Sequence, residues 1–268
     1  VYIARLLGGE ALGVYSLTLT TVSWICIPGT MGITGGIKKR VSEQEEPTAY
    51  VVAGAIMMIT LFMIAGGAVF LFQDQVNKYV GYPVAGYLVA ILGVTLIYNV
   101  ITATLNGQHL VHIAGVLSPV KTGSRAGIQI TALAAGLGLA GLFSGYVVGY
   151  VIVIFAGGVV VVRNFETLTI PRRRHFQRIV SFAKYAWLGG LRGTAFNWVD
   201  IALLGAFVPT TLVGYYTAAW NIAQFLIIFG AGVSQTLFPR MSESASSEDP
   251  EVVADLLNTA LSFAGLIM

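Results

Sequence analysis

The chain has 268 residues, 56% of them hydrophobic and only 10% charged, with a formal net charge of +3 and a mean hydropathy of +0.80. A soluble domain carries roughly 25% charged and about 45–50% apolar residues, and a soluble fold of this length cannot hide so much apolar surface. A soluble catalytic domain is therefore excluded, and hydrocarbon is the expected solvent. The single cysteine, Cys26, rules out an intrachain disulfide. The chain starts at Val1 and stops at Met268 inside an apolar run, so the expectation is an internal piece of a longer protein, incomplete at both ends.

A spanning helix needs about 20 mostly apolar residues. Runs of that kind lie at Leu12–Ile37, Thr48–Phe72, Val84–Leu105, Ile113–Leu139, Ser144–Val162, Phe182–Val208 and Leu212–Leu237, and another begins at Val252. They lack the ~10-residue alternation of a membrane barrel, so the predicted fold class is all-α, a polytopic transmembrane helix bundle. Counting the connections alternately, Lys38, Lys39, Arg40, Arg163, Arg172, Arg173, Arg174, Arg178 and Arg240 fall on one side, and only Arg5 and Lys78 on the other. The positive-inside rule makes the first side cytoplasmic, with loops 38–47, 163–181 and 238–250. The longest polar connection carries Pro171-Arg172-Arg173-Arg174. It reads as an inter-lobe linker lying on anionic headgroups or as an ordinary positive-inside loop. The predicted domains are an N-terminal lobe over 1–163, a basic cytoplasmic loop over 164–181 and the start of a C-terminal lobe over 182–268.

The two halves repeat each other. Gly13-Val14-Tyr15-Ser16 opens the first run and Gly214-Tyr215-Tyr216-Thr217 the seventh; Arg40-Val41-Ser42-Glu43 and Arg240-Met241-Ser242-Glu243 follow them, at glycine-to-arginine spacings of 27 and 26 residues. Each copy is preceded by Leu-Leu-Gly, at Leu6-Leu7-Gly8 and Leu203-Leu204-Gly205. Both copies run from outside to inside, and a parallel repeat implies two lobes about an axis along the membrane normal, with a substrate path between them. Convergence of similar helix ends on Gly, Tyr and Arg is the alternative.

On the stretches Arg5–Ser16, Gly214–Ala219 and Phe238–Glu243 the chain resembles the polysaccharide transporter (O-antigen flippase) branch of the multidrug/oligosaccharidyl-lipid/polysaccharide flippase superfamily. The resemblance covers essentially the whole chain, as helices two to nine of about twelve to fourteen in the family. It implies a two-lobed transporter, not an enzyme, that moves polyprenyl-phosphate-linked oligosaccharide from the cytoplasmic to the outer leaflet of the cell membrane by alternating access. The implied partners are that substrate, membrane lipids and glycan-assembly enzymes, with no nucleic acid; no bound cofactor is implied, and a Na⁺ or H⁺ gradient or the membrane potential would supply any driving force. The alternative within the superfamily is an ion-coupled exporter of drugs or organic cations. A polytopic glycosyltransferase would need catalytic carboxylates or a metal motif in a sizeable polar loop, and His109, His112 and His175 lack metal-ligand spacing.

Ionisable groups at membrane depth usually face a cavity or a partner. In the fourth run Ser118, Lys121, Thr122, Arg125 and Gln129 share a helical face. Lys121 and Arg125 suit the phosphates of a lipid carrier, unless the helix starts only near Ala126 and leaves both at the headgroups. In the sixth run Arg192 is a candidate headgroup contact, with Lys184 and Asn197 as further cavity candidates, and Asp200 is a candidate for a coupling cation or proton. Snorkelling or a structural polar contact is the alternative for this group. Gly32 with Gly36, Gly145 with Gly149 and Gly189 with Gly193 are small-xxx-small pairs that suit close helix packing.

Overall fold

The computed structural model describes residues 2–165 and 169–224. Among these there is no strand, and the all-α expectation holds. The helices are α1 (Tyr2–Ile27), α2 (Thr34–Ser42), α3 (Pro47–Leu71), α4 (Gln73–Val80), α5 (Ala85–Gly107), α6 (Val111–Ala134), α7 (Gly138–Arg163) and α8 (Arg173–Phe207). Residues 210–224 are also helical. The expected run from Val252 and the end of the run Leu212–Leu237 lie outside the described residues, as does the second copy's Arg240-Met241-Ser242-Glu243.

Four stretches are long and apolar enough to cross a bilayer: Leu6–Ser42, Pro47–Leu71, Ala85–Gly107 and Gly138–Arg163. The chain is a multi-pass membrane protein. Their outward faces carry bare apolar side chains, such as Met63, Ile64, Leu71 and Phe155, as lipid contact requires. The first crossing is one helical path interrupted at Pro28–Ile33 by a π-helical segment. Pro28 explains the interruption, because it has no N–H to donate and its ring clashes with the carbonyl four residues earlier.

Several boundaries differ from the sequence reading. The helix expected over Ile113–Leu139 ends at Ala134, because Gly136 and Gly138 adopt positive φ of 78° and 54°, a conformation that closes a helix. That lets α7 begin at Gly138 rather than near Ser144. α4, a short amphipathic helix between α3 and α5, was not anticipated. α8 starts at Arg173 instead of Phe182, so the second half of the basic connection over 164–181 is the first turns of a 35-residue helix. At 1.5 Å per residue that helix is roughly 50 Å long, well beyond a hydrocarbon core of about 30 Å.

Glycine seams set the packing. A Cβ at Gly141 would lie 3.0 Å from the Ala132 Cβ, at Gly145 3.0 Å from the Gln129 nitrogen, and at Gly149 2.7 Å from the Arg125 Cα. These three positions let α6 lie directly on α7. Gly32, Gly35 and Gly36 admit Ala183, Phe182 and Ile179 of α8 in the same way. No atom lies within 4 Å of a Cβ placed at Gly189 or Gly193, so that pair packs against nothing described.

One close approach joins the repeat copies. A Cβ at Gly13 would strike the Thr210 carbonyl, and one at Gly214 would strike the Gly9 carbonyl. In the repeat Gly13 corresponds to Gly214 and Gly9 to Thr210, so the two contacts are reciprocal, as across a two-fold axis.

Gly149→Val should force α6 and α7 apart and cost about 1–3 kcal/mol by overpacking. Gly123→Ala, at an α6 position with open space around it, should be neutral or slightly stabilising. Thermal unfolding in detergent, followed by loss of the monodisperse peak, compares the two.

Candidate functional site

α6 begins at Val111 rather than near Ala126, so Lys121 and Arg125 lie within the helix, roughly 15 and 21 Å along the axis from its start. Both are partly buried, and among the described residues neither meets a carboxylate. Aromatic faces take that place. The Lys121 ammonium sits 4.3 Å from the ring centre of Tyr98 on α5 and 5.2 Å from that of Tyr150 on α7; the Arg125 guanidinium lies 5.2 Å from the Tyr146 ring. Such cation–π contacts are worth about 2 kcal/mol or more once desolvated, which offsets part of the cost of a charge at this depth. Tyr146 and Tyr150 stack and join their hydroxyls at 3.0 Å.

Gln129, one turn deeper, donates to the Tyr15 hydroxyl at 2.9 Å and the Leu142 carbonyl at 2.8 Å. Among the described residues the Arg125 Nε, and the amide nitrogen of Asn99 next to Tyr98 in the chain, are buried without a hydrogen-bond partner. The cluster is therefore rich in donors and positive charge and poor in acceptors, a composition that accepts an anion. Sequence reasoning identified the α6 face but missed its tyrosines. Their signal was the Gly145-Tyr146 and Gly149-Tyr150 pairs, which repeat at helical spacing on α7.

The α8 candidates lie elsewhere. α6 packs on α7 and α5, whereas α8 packs on α1, the π-helical segment, α2 and α3. Arg192 is exposed, Asn197 donates to the Gly193 carbonyl at 2.7 Å, and the Lys184 ammonium lies over the Tyr185 ring at 4.7 Å. The Asp200 carboxylate accepts the Ile201 N–H at 2.8 Å. The structure does not bring these residues to Lys121 and Arg125.

A second polar cluster, also unanticipated, ties the start of α8 to the α2–α3 loop. The Glu46 carboxylate accepts from the Arg174 guanidinium at 2.6 Å and meets the His175 Nε2 at 2.7 Å. The His175 Nδ1 accepts the Arg172 backbone N–H at 2.8 Å, which leaves the ring proton on Nε2, directed at Glu46. His175 thus closes the first turn of α8 as a glutamate does in a capping box. Arg178 donates to Glu45 at 3.0 Å and to the Tyr50 hydroxyl at 2.9 Å. His175 is only 1% exposed and packs edge-on against the buried Tyr50 ring.

The hydrogen bonds from Arg174 and then His175 hold the Glu46 carboxyl below its ordinary value of 4.5. A depressed carboxylate contributes its full stabilisation above the ordinary value and loses it as pH falls through the lowered one. Protection from hydrogen exchange, relative to the intrinsic rate at each pH, should hold at amides 48–50 and 173–178 from neutral pH down past 4.5 and fall only in stronger acid. Glu46→Gln should lower it already at neutral pH.

The geometry agrees with what the chain resembles. A protein-family model described as polysaccharide biosynthesis protein matches residues 1–245. The chain is 25% identical over 274 residues to a probable flippase, AglR, of Haloferax volcanii, and 22% identical over 267 residues to a probable low-salt glycan biosynthesis flippase, Agl15, of the same organism. Each alignment covers 100% of this chain and 56% of the relative, so the chain spans about half the length of these curated relatives. No solved structure matches it. With nearly all of its length inside that family model, the chain belongs to the polysaccharide biosynthesis protein family.

Proposed function

We propose that the chain is part of a flippase of the cell membrane that carries polyprenyl-phosphate-linked oligosaccharide from the cytoplasmic to the outer leaflet. The observation that carries this reading is the pair Lys121 and Arg125, deep in a bilayer-length helix, braced by tyrosines and uncompensated by any described carboxylate. A lipid-linked glycan presents phosphate oxygens next to sugar faces, and this cluster offers guanidinium and ammonium donors next to aromatic rings. The family relationship and the names of both relatives point the same way. So does the reciprocal Gly13–Thr210 and Gly9–Gly214 approach, which suits two lobes, divided near 164–181, that rock about an axis along the membrane normal.

On this reading nothing is chemically changed, and the protein is a transporter rather than an enzyme. Arg192 on the exposed face of α8 offers the substrate a second cation, and Lys184 and Asn197 line the same route. Asp200 is the coupling candidate for Na⁺ or H⁺. An organic-cation exporter would need carboxylates at membrane depth; among the described helices only Glu10 of α1 and Asp200 of α8 lie more than one turn from an end. Glycan-assembly enzymes are the proposed neighbours.

Arg125→Gln and Lys121→Gln should each cut surface glycan display by about tenfold or more, the loss of one charged hydrogen bond, while lipid-linked precursor accumulates inside at unchanged membrane abundance. Arg173→Ala, on the exposed first turn of α8, should change neither. Normal display in both α6 variants would remove the cluster from transport. Normal display in Arg192→Ala would remove that residue alone.

A further inference from the structure

A cleft of about 300 Å³ opens at the cytoplasmic end of the bundle, where the ends of α2, α5 and α7 meet the start of α3. Its polar lining is Gln44, Gln108, His109 and Asn164, and Val41 and Phe165 contribute apolar walls. The volume is at the small end for small-molecule sites. None of the lining residues carries a carboxylate, ammonium or guanidinium group, and the neighbouring Arg40 is engaged by Glu43 at 2.8 Å. This chemistry differs from that of the cation cluster on α6. Three primary amides, each both donor and acceptor, beside an aromatic ring match hydroxyl and acetamido groups rather than a phosphate.

Two further observations point to a ligand. The Gln108 side-chain oxygen is buried with no hydrogen-bond partner among the described residues, an acceptor left for an incoming O–H or N–H. Gln44 and His109, on facing walls, both hold left-handed backbones, with φ of 59° and 62°. Each is the residue just past a helix end, of α2 and α5, where a left-handed backbone closes the helix; glycine would adopt that conformation freely, so the polar side chains there are kept at a conformational cost. The walls are also fixed in advance. Glu45 and Glu46, next to Gln44, are held by Arg178 and Arg174. On the opposite wall Gly107 abuts α2 so closely that a Cβ would lie 2.7 Å from the Val41 Cβ. A preformed site spends less of its binding energy on ordering.

We propose that this cleft binds one uncharged sugar residue at the cytoplasmic face, apart from the α6 cluster that takes the anionic group. The proposal rests on the flippase reading only for the source of the sugar, a lipid-linked glycan or a free saccharide. The test uses the intact protein in lipid nanodiscs and saturation-transfer NMR with N-acetylglucosamine as the probe. Saturation transfer to the sugar is expected, falling at least about fivefold in Gln108→Leu, the loss of about one hydrogen bond. It should fall likewise in the double variant Gln44→Gly, His109→Gly. That variant relieves both left-handed positions, so its thermal stability should be no lower than the parent's while sugar binding is lost.

Arg125→Gln should leave the signal intact, so failure of the flippase reading and failure of this one separate cleanly. Displacement by polyprenyl-phosphate glucose added to the nanodisc assigns the site to the lipid-linked glycan; a free-sugar signal without displacement assigns it to a soluble saccharide. No transfer to the sugar, transfer that persists in both variants, or competition by inorganic phosphate would overturn the proposal.

Discussion

A cation in hydrocarbon has to find a partner or pull the bilayer towards it, and the close contact of α6 with α7 supplies the partner. Gly141, Gly145 and Gly149 lack the side chains that would hold the helices apart, so the α6 backbone at Arg125 and Gln129 comes against them. The tyrosines beside two of those glycines, Tyr146 and Tyr150, are then carried under the charges of Arg125 and Lys121. A bulky residue at any of the three glycines would part helix from helix and tyrosine from cation together. Packing and electrostatics are one constraint here, and the candidate site depends on it.

Tyrosine rather than carboxylate is a consequential choice of partner. A carboxylate would neutralise Arg125 and leave nothing for an anionic ligand, whereas a ring face stabilises the cation while keeping its N–H donors available. The Arg125 Nε and the Asn99 amide, both buried without partners among the described residues, show the same bias towards donors. At the start of α8 the choice is reversed. Glu46 and Glu45 face Arg174 and Arg178 directly, and that pairing, open to water, fastens α8 to the α2–α3 loop. The described residues therefore keep cations free of carboxylates between α6 and α7 and closed ion pairs at the start of α8.

Hydropathy and the alternation of basic residues were enough to reveal a polytopic α-helical membrane protein, because the bilayer imposes length and apolarity on every crossing regardless of packing partners. The same text contained the Gly-Tyr pattern of the repeat, the shared helical face of Lys121 and Arg125, and the Gly32/Gly36 and Gly145/Gly149 seams, all local or periodic signals. Helix ends were less legible. α8 begins nine residues earlier than its apolar run, since Arg173–Ser181 is amphiphilic helix that continues into water, where hydropathy has no stake.

What the tertiary structure alone decided is which residues meet. No periodicity relates Tyr98 to Lys121, Glu46 to His175, or Gly13 to Thr210; each pair is joined by the way helices distant in sequence lie on one another. The cytoplasmic cleft is likewise assembled from four helix ends, and its orphaned Gln108 oxygen and left-handed Gln44 and His109 are properties of that assembly. The sequence by itself determined the solvent and the all-helical class, because those follow from transfer free energies summed along the chain. The site belongs to the fold, because electrostatic and hydrogen-bond partners are set by distances across helices that no one-dimensional pattern encodes.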